Sequence, residues 1–206
     1  MENSPLEKLP AELRNKIYRL VVSDNKPLTV CARSPGYHKA IQPPITRVCR
    51  QIRDESLTMF YHCNEFVFEV IPAESWRETR WDIADRVWEI ELWLHSTSEK
   101  NRAAIQNLLI VCGSNCRAPD CESMWQVLAE VLLVYGYGGK AERQNRLKCT
   151  IHIHLVFDLW ASWLFANLPA GTNLEVYRRE QETKSTKLFE DLGLDVHVTS
   201  EMVVRR

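Results

Sequence analysis

Apolar residues recur at Leu9, Leu13, Ile17 and Leu20, the spacing of one face of a helix, while Glu12, Asn15, Lys16 and Arg19 occupy the remaining sides. Pro10 suits the first turn of that helix, Leu6 is placed to staple its entry, and Glu12 precedes Lys16 at the favourable i,i+4 spacing. The Ser23-Asp24-Asn25-Lys26-Pro27 run ends the helix. A short extended stretch, Leu28 to Ala32, follows, and then a loop rich in Pro and Gly that closes on Pro43-Pro44. From Ile45 to about Tyr61 the helical pattern returns through Ile45, Val48, Cys49, Ile52, Ser56, Met59 and Phe60, with Arg47, Arg50 and Arg53 on the opposite side. Asn64 interrupts it. Glu65 to Val70 then alternates as a half-buried strand with Phe66, Phe68 and Val70 on one face.

Residues 71 to 86 carry Trp76 and Trp81 among charges and read as a mixed loop or short helix. Val87 to His95 alternates Trp88, Ile90, Leu92 and Leu94 against Glu89, Glu91 and Trp93, which predicts a strand with Trp93 on its polar side. Ser96-Thr97-Ser98-Glu99 offers a capping box for a helix to about Val111, and Ser123 to Tyr135 forms a second amphipathic helix stopped by Gly136, Gly138 and Gly139. Cys149 to Phe157 alternates as a strand. Leu174 to Arg178 and Leu194 to Val198 also fit strands, with a lysine-bearing polar linker between them. The expected fold class is α+β in a single domain: a helical segment over 1–70 packed on a mixed or antiparallel sheet with helices, continuous with a strand-and-helix body over 71–206. No internal repeat stands out.

Composition narrows the functions open to such a chain. Its 206 residues allow one domain, and 26 Lys and Arg against 27 Asp and Glu give a net charge of −1, so no global basic field exists to hold nucleic acid. No basic-then-apolar leader opens the chain, and no apolar run reaches the ~18 residues of a membrane span, so an intracellular protein with no membrane partner is expected. Its seven cysteines are then mostly buried thiols rather than bridges.

Two clusters carry candidate chemistry. Cys112, Cys116 and Cys121 fall close together, and Cys149 with His152 lies on a strand that could come alongside; four such ligands are the donor set of tetrahedral zinc, although Cys-x3-Cys-x4-Cys is no standard knuckle. Ordinary thiols in a helix connection, with no cofactor, are the simpler account. His152-Ile153-His154 puts two imidazoles on one strand face, and His197-Val198-Thr199 resembles half of the paired His-x-Thr signature of two-histidine phosphoesterases, in which each histidine handles one proton transfer. The first half departs from that signature, with His154 where Thr or Ser is expected. A phosphoesterase-like or zinc-dependent hydrolase around His152, His154 and His197 is therefore the alternative to a non-enzymatic role. No nucleophile elbow, phosphate loop or dinucleotide fingerprint is present.

Two ordered blocks, Leu9 to Val21 and Ile45 to Phe66, carry a resemblance: the Glu12-Leu13-Arg14 word, the Ile17-Tyr18 pair, Ile52-Arg53-Asp54-Glu55, and Phe60-Tyr61 followed by Asn64 and Phe66. Together they resemble the opening of the fungal F-box-like proteins of the two-EXR family, over about a third of the chain. The resemblance implies a protein–protein interaction module with no defined enzymatic activity. An F-box presents a Leu-Pro start and an apolar helix to the linker subunit of a cullin ubiquitin ligase; here that surface is Leu9, Pro10, Leu13, Ile17 and Leu20. Separately from the resemblance, Arg14, Arg47, Arg50 and Arg53 with Asp54 and Glu55 are a further candidate partner patch, the simpler account being a solvated face with intrahelical ion pairs. Residues 23 to 43 separate the two helices where an F-box is compact. An apolar helix face packs on its own domain or fills a partner's groove, and its sequence is the same in both cases.

Overall fold

The computed structural model describes residues 5–6, 8–30, 42–71, 80–113, 118–137, 149–160 and 171–205. Within them the chain order is α1 (Ala11–Val22), β1 (Leu28–Thr29), a 3-10 turn (Pro44–Arg47), α2 (Arg50–Cys63), β2 (Phe66–Ile71), α3 (Arg80–Ser96), α4 (Glu99–Arg102), β3 (Asn107–Gly113), α5 (Ala118–Val134), β4 (Thr150–Trp160), α6 (Leu174–Asp191) and β5 (Val196–Arg205). Helices and strands form one α+β domain around a single hydrophobic core that takes in both the N-terminal segment and the body.

The sheet corrects the expected mixed or antiparallel pairing. All five strands are parallel and stand in chain order, β1-β2-β3-β4-β5. Parallel neighbours need a crossover, and crossovers are right-handed, so a sheet that grows in one direction carries its connections on one face. Burial follows this rule. Phe66, Leu108 and Ile151 lie in register on one face, as do Phe68, Ile110 and Ile153, and all six are buried. The rings of Phe66 and Phe68 meet Trp93 of α3 there, at 5.1 and 5.6 Å between centroids. The opposite face carries Val67, Leu109, His152 and His197 in one row and Glu69, Val111, His154 and Thr199 in the next. From β3 outward this face is half-exposed or exposed.

Three expected elements changed type. Val87 to His95 is the C-terminal half of helix α3, in which Val87, Ile90, Trp93 and Leu94 face the core while Trp88 and Leu92 face solvent. The segment satisfies both periods; a crossover between parallel β2 and β3 needs a helix, and the longer element wins. Ser98 does cap a helix, its side chain accepting from the Asn101 amide at 3.4 Å, but that helix is only Glu99–Arg102. The continuous apolar run after it is strand β3, paired on both sides, with Leu108, Ile110 and Cys112 buried and the apolar Leu109 and Val111 on the half-exposed face, so its sequence shows no polar alternation. Leu174 to Arg178 opens helix α6. Asn173 caps it by accepting from the Glu175 and Val176 amides, and Arg178 and Arg179 both pair with Glu175.

Gly136 at φ 91° and Gly193 at φ 84° end α5 and α6, and each is followed by the bond pattern of a left-handed helix stop: Tyr137 N–H to Leu132 O, and Leu194 N–H to Phe189 O, both 2.9 Å. The glycine stop expected after α5 is therefore Gly136; Gly138 and Gly139 lie outside the described residues. Helix α6 is sewn to the edge strand by Arg178, which donates to the Ser200 carbonyl at 3.0 Å, while the Ser200 hydroxyl donates to Glu182 at 2.6 Å. The extended stretch from Leu28 contributes β1 and then Val30, whose amide donates to Val67 O at 2.9 Å; residues 31–41 beyond it lie outside the description. No helix among the described residues is long and apolar enough to cross a membrane.

Candidate docking surface and histidine face

Helix α1 is held by the side opposite its apolar stripe. Tyr18 and Val22 are buried and Arg14 is half-buried, whereas Leu13 is 44% exposed, Leu20 is 83% exposed and Val21 is exposed as well; Leu9 and Ile17 are half-buried and Pro10 is exposed. On a helix Arg14, Tyr18 and Val22 form one i,i+4 row, and it is this row that meets α2. The fixing contact joins the two sequence blocks. Arg14 Nε and Nη2 donate to the two Glu55 carboxylate oxygens, each at 3.3 Å, and Arg14 Nη1 donates to Leu9 O at 3.0 Å. Gln51 donates to the same carboxylate at 3.0 Å. Hydrogen bonds from Gln51, Tyr18 and Arg14 hold the Glu55 carboxyl below its ordinary value, while burial and then Glu55 itself raise the Tyr18 phenol. A half-exposed ion pair contributes about 1 kcal/mol or less, so burial of Tyr18 and Val22 supplies most of the attachment and the pair sets its register.

Asn64 locks the far end. Buried after the last turn of α2, its amide donates to Val22 O and Phe60 O, both at 2.8 Å, and its Oδ1 accepts from the Asp24 amide at 2.7 Å. One side chain thus satisfies the C-terminal carbonyls of α1 and α2 together. Asn64→Ala is expected to lower unfolding free energy by about 2–3 kcal/mol, because buried backbone groups lose their partner; chemical denaturation measures it, and a change below about 0.5 kcal/mol would show water substituting freely.

The arginines do not gather into one paired set. Arg47, Arg50 and Arg53 are exposed, and Arg53 Nε donates to Thr46 O at 2.9 Å, bracing the 3-10 turn against α2. Tyr18, Asn64 and the Arg14–Glu55 contact were not singled out by periodicity. The available signal was that the words carrying the family resemblance contain Arg14, Tyr18, Glu55 and Asn64, residues which hydrophobic spacing alone does not explain.

The cysteines are spread through the fold. Cys112 is buried on the helix-facing side near the end of β3, and half-buried Cys149 precedes β4. Asn107 pairs with Thr150 and Cys112 with Leu155, so Cys112 and Cys149 are separated by six ladder positions, about 20 Å at ~3.3 Å each. They do not belong to one centre. Nor do Cys149 and His152, three residues apart on a strand and so on opposite faces. Burial pushes the Cys149 thiol up to about 12. Cys121 falls within α5, and Cys116 lies outside the described residues. No group of three or more His, Cys, Asp or Glu side chains among the described residues is placed to hold a metal ion.

The histidines do come together. Register sets His152 beside His197 and His154 beside Thr199 on the face away from the helices. The His152 and His197 rings meet edge to face at 5.6 Å between centroids. His154 Nδ1 is 3.0 Å from the Thr199 hydroxyl and its Nε2 is 3.6 Å from Glu201. The two His-x-His/Thr segments thus run side by side on an open, solvent-reached surface.

No family model, no curated protein and no solved structure matches this chain.

Proposed function

We propose that this chain is an intracellular protein–protein interaction module that docks on a protein partner through the outward face of α1. The single observation supporting this reading is the orientation of that helix: Leu13, Leu20 and Val21 face solvent while Tyr18 and Val22 hold the helix to its own domain. An isolated exposed leucine is ordinary, but exposed residues joined on one helix face with half-buried Leu9 and Ile17 make a continuous apolar strip of the kind that fills a partner's groove. The family resemblance gives the partner its class, the linker subunit of a cullin-type ubiquitin ligase, and the chain then acts as an adaptor with Arg47, Arg50 and Arg53 exposed beyond the strip.

Binding of a purified linker subunit to the wild type and to Leu13→Arg/Leu20→Arg tests this. Arginine has nearly the helix propensity of leucine, so the helix persists while two charges enter the interface. Loss of at least tenfold in affinity, with an unchanged unfolding curve, is expected. Equal affinity for the double variant would refute the use of this face, and a wild type that does not bind would refute the linker as partner.

A further inference from the structure

We infer that His152 and His197 form a two-imidazole site for a divalent transition-metal ion of the zinc or nickel type on the open face of the sheet. The site is independent of the α1 surface. Two imidazole nitrogens each about 2.0–2.1 Å from one tetrahedral ion place their ring centroids about 5 Å apart, and here the centroids already stand 5.6 Å apart. Their backbones are fixed in register on neighbouring strands, and turning one ring out of the edge-to-face contact about its side-chain torsions brings a nitrogen of each toward a shared point. His152 lies on β4, paired on one side with Leu109 of β3 and on the other with His197 of β5. The same row carries Val67 and Leu109, so one flank is apolar while the other stays open to solvent for the waters that complete the coordination shell. Imidazole nitrogen suits zinc, nickel and copper, and calcium or magnesium, which want oxygen, are not expected to bind.

His154 is assigned no part in it. One ring nitrogen is engaged by Thr199 and the other faces Glu201, at 3.0 and 3.6 Å, in the next row of the sheet. This separates the proposal from a three-histidine centre and supplies an internal control.

The test is a titration of the full chain with Ni²⁺ alone in thiol-free reducing buffer, followed by amide spectra, since the paramagnetic ion broadens signals near where it sits. One ion per chain is expected, with broadening centred on residues 151–153 and 196–198. His152→Gln and His197→Gln should each weaken binding at least tenfold, and His154→Gln should change it less than twofold. All three positions are half-exposed or exposed, so thermal unfolding should be little altered and serves as the check on folding. Broadening centred on the cysteines, absence of saturable binding to the wild type, or loss with His154→Gln alone would each overturn the assignment.

Discussion

Trp93→Ala is expected to remove about 3–5 kcal/mol of unfolding free energy, the cost of truncating a large aromatic at a packed core position. Its indole is 4% exposed and sits among the rings of Tyr61, Phe66 and Phe68, with centroids at 5.9, 5.1 and 5.6 Å. It therefore joins α2, β2 and α3, and its loss leaves a cavity where three elements meet. Trp88 on the same helix is 59% exposed, and Trp88→Ala should change stability by no more than about 0.5 kcal/mol. The pair discriminates sharply, because a strand at this place would bury Trp88 and expose Trp93. Guanidinium denaturation of the two variants reads the difference, and a larger loss from Trp88→Ala would reject helix α3.

Much of the fold can be read from local pattern. The first helix, the strand at Phe66, the helix through Trp125 and the strand at Ile151 appear where spacing places them, because a clear breaker bounds each run or its apolar and buried faces coincide. The second helix, by contrast, starts only at Arg50: Pro44 to Arg47 form a 3-10 turn, Val48 is exposed, and Cys49 is the extended residue that caps the helix. Where the pattern fails, two periods fit one segment or the sheet removes the alternation. Val87 to Leu94 is apolar at both helical and strand intervals, and only the demand for a crossover between parallel neighbours decides it. The interior strand Asn107–Gly113 carries Leu109 and Val111 on its half-exposed face as well as Leu108, Ile110 and Cys112 on its buried one, so no polar alternation marks it as a strand. Helix α6 begins with Leu174, Val176 and Arg178, whose alternation suggests a strand until the Asn173 cap and the Glu175 to Arg178 and Arg179 pairs are considered.

The candidate surface was legible in its residues and not in its direction. Leu9, Leu13, Ile17 and Leu20 advertise a buried face, yet the groups that hold α1 are Arg14, Tyr18 and Val22. Their partners, Glu55 and Asn64, lie about forty residues away, beyond the reach of any helical period. The histidines show the converse. Each pair is a local word, His152-Ile153-His154 and His197-Val198-Thr199, but only the parallel register brings the words side by side.

The orientation of α1 is the claim on which the functional reading stands, and comparing Tyr18→Ala with Leu13→Arg/Leu20→Arg in chemical denaturation tests it most directly. Tyr18 is 1% exposed, so its truncation should cost about 3 kcal/mol, the loss of a large buried ring and the cavity it leaves between α1 and α2. The double leucine variant, altered only on the solvent side, should stay within about 0.5 kcal/mol of wild type. The reverse result, a tolerant Tyr18 and a collapsing leucine pair, would mean that the stripe is core and that no free face exists for a partner.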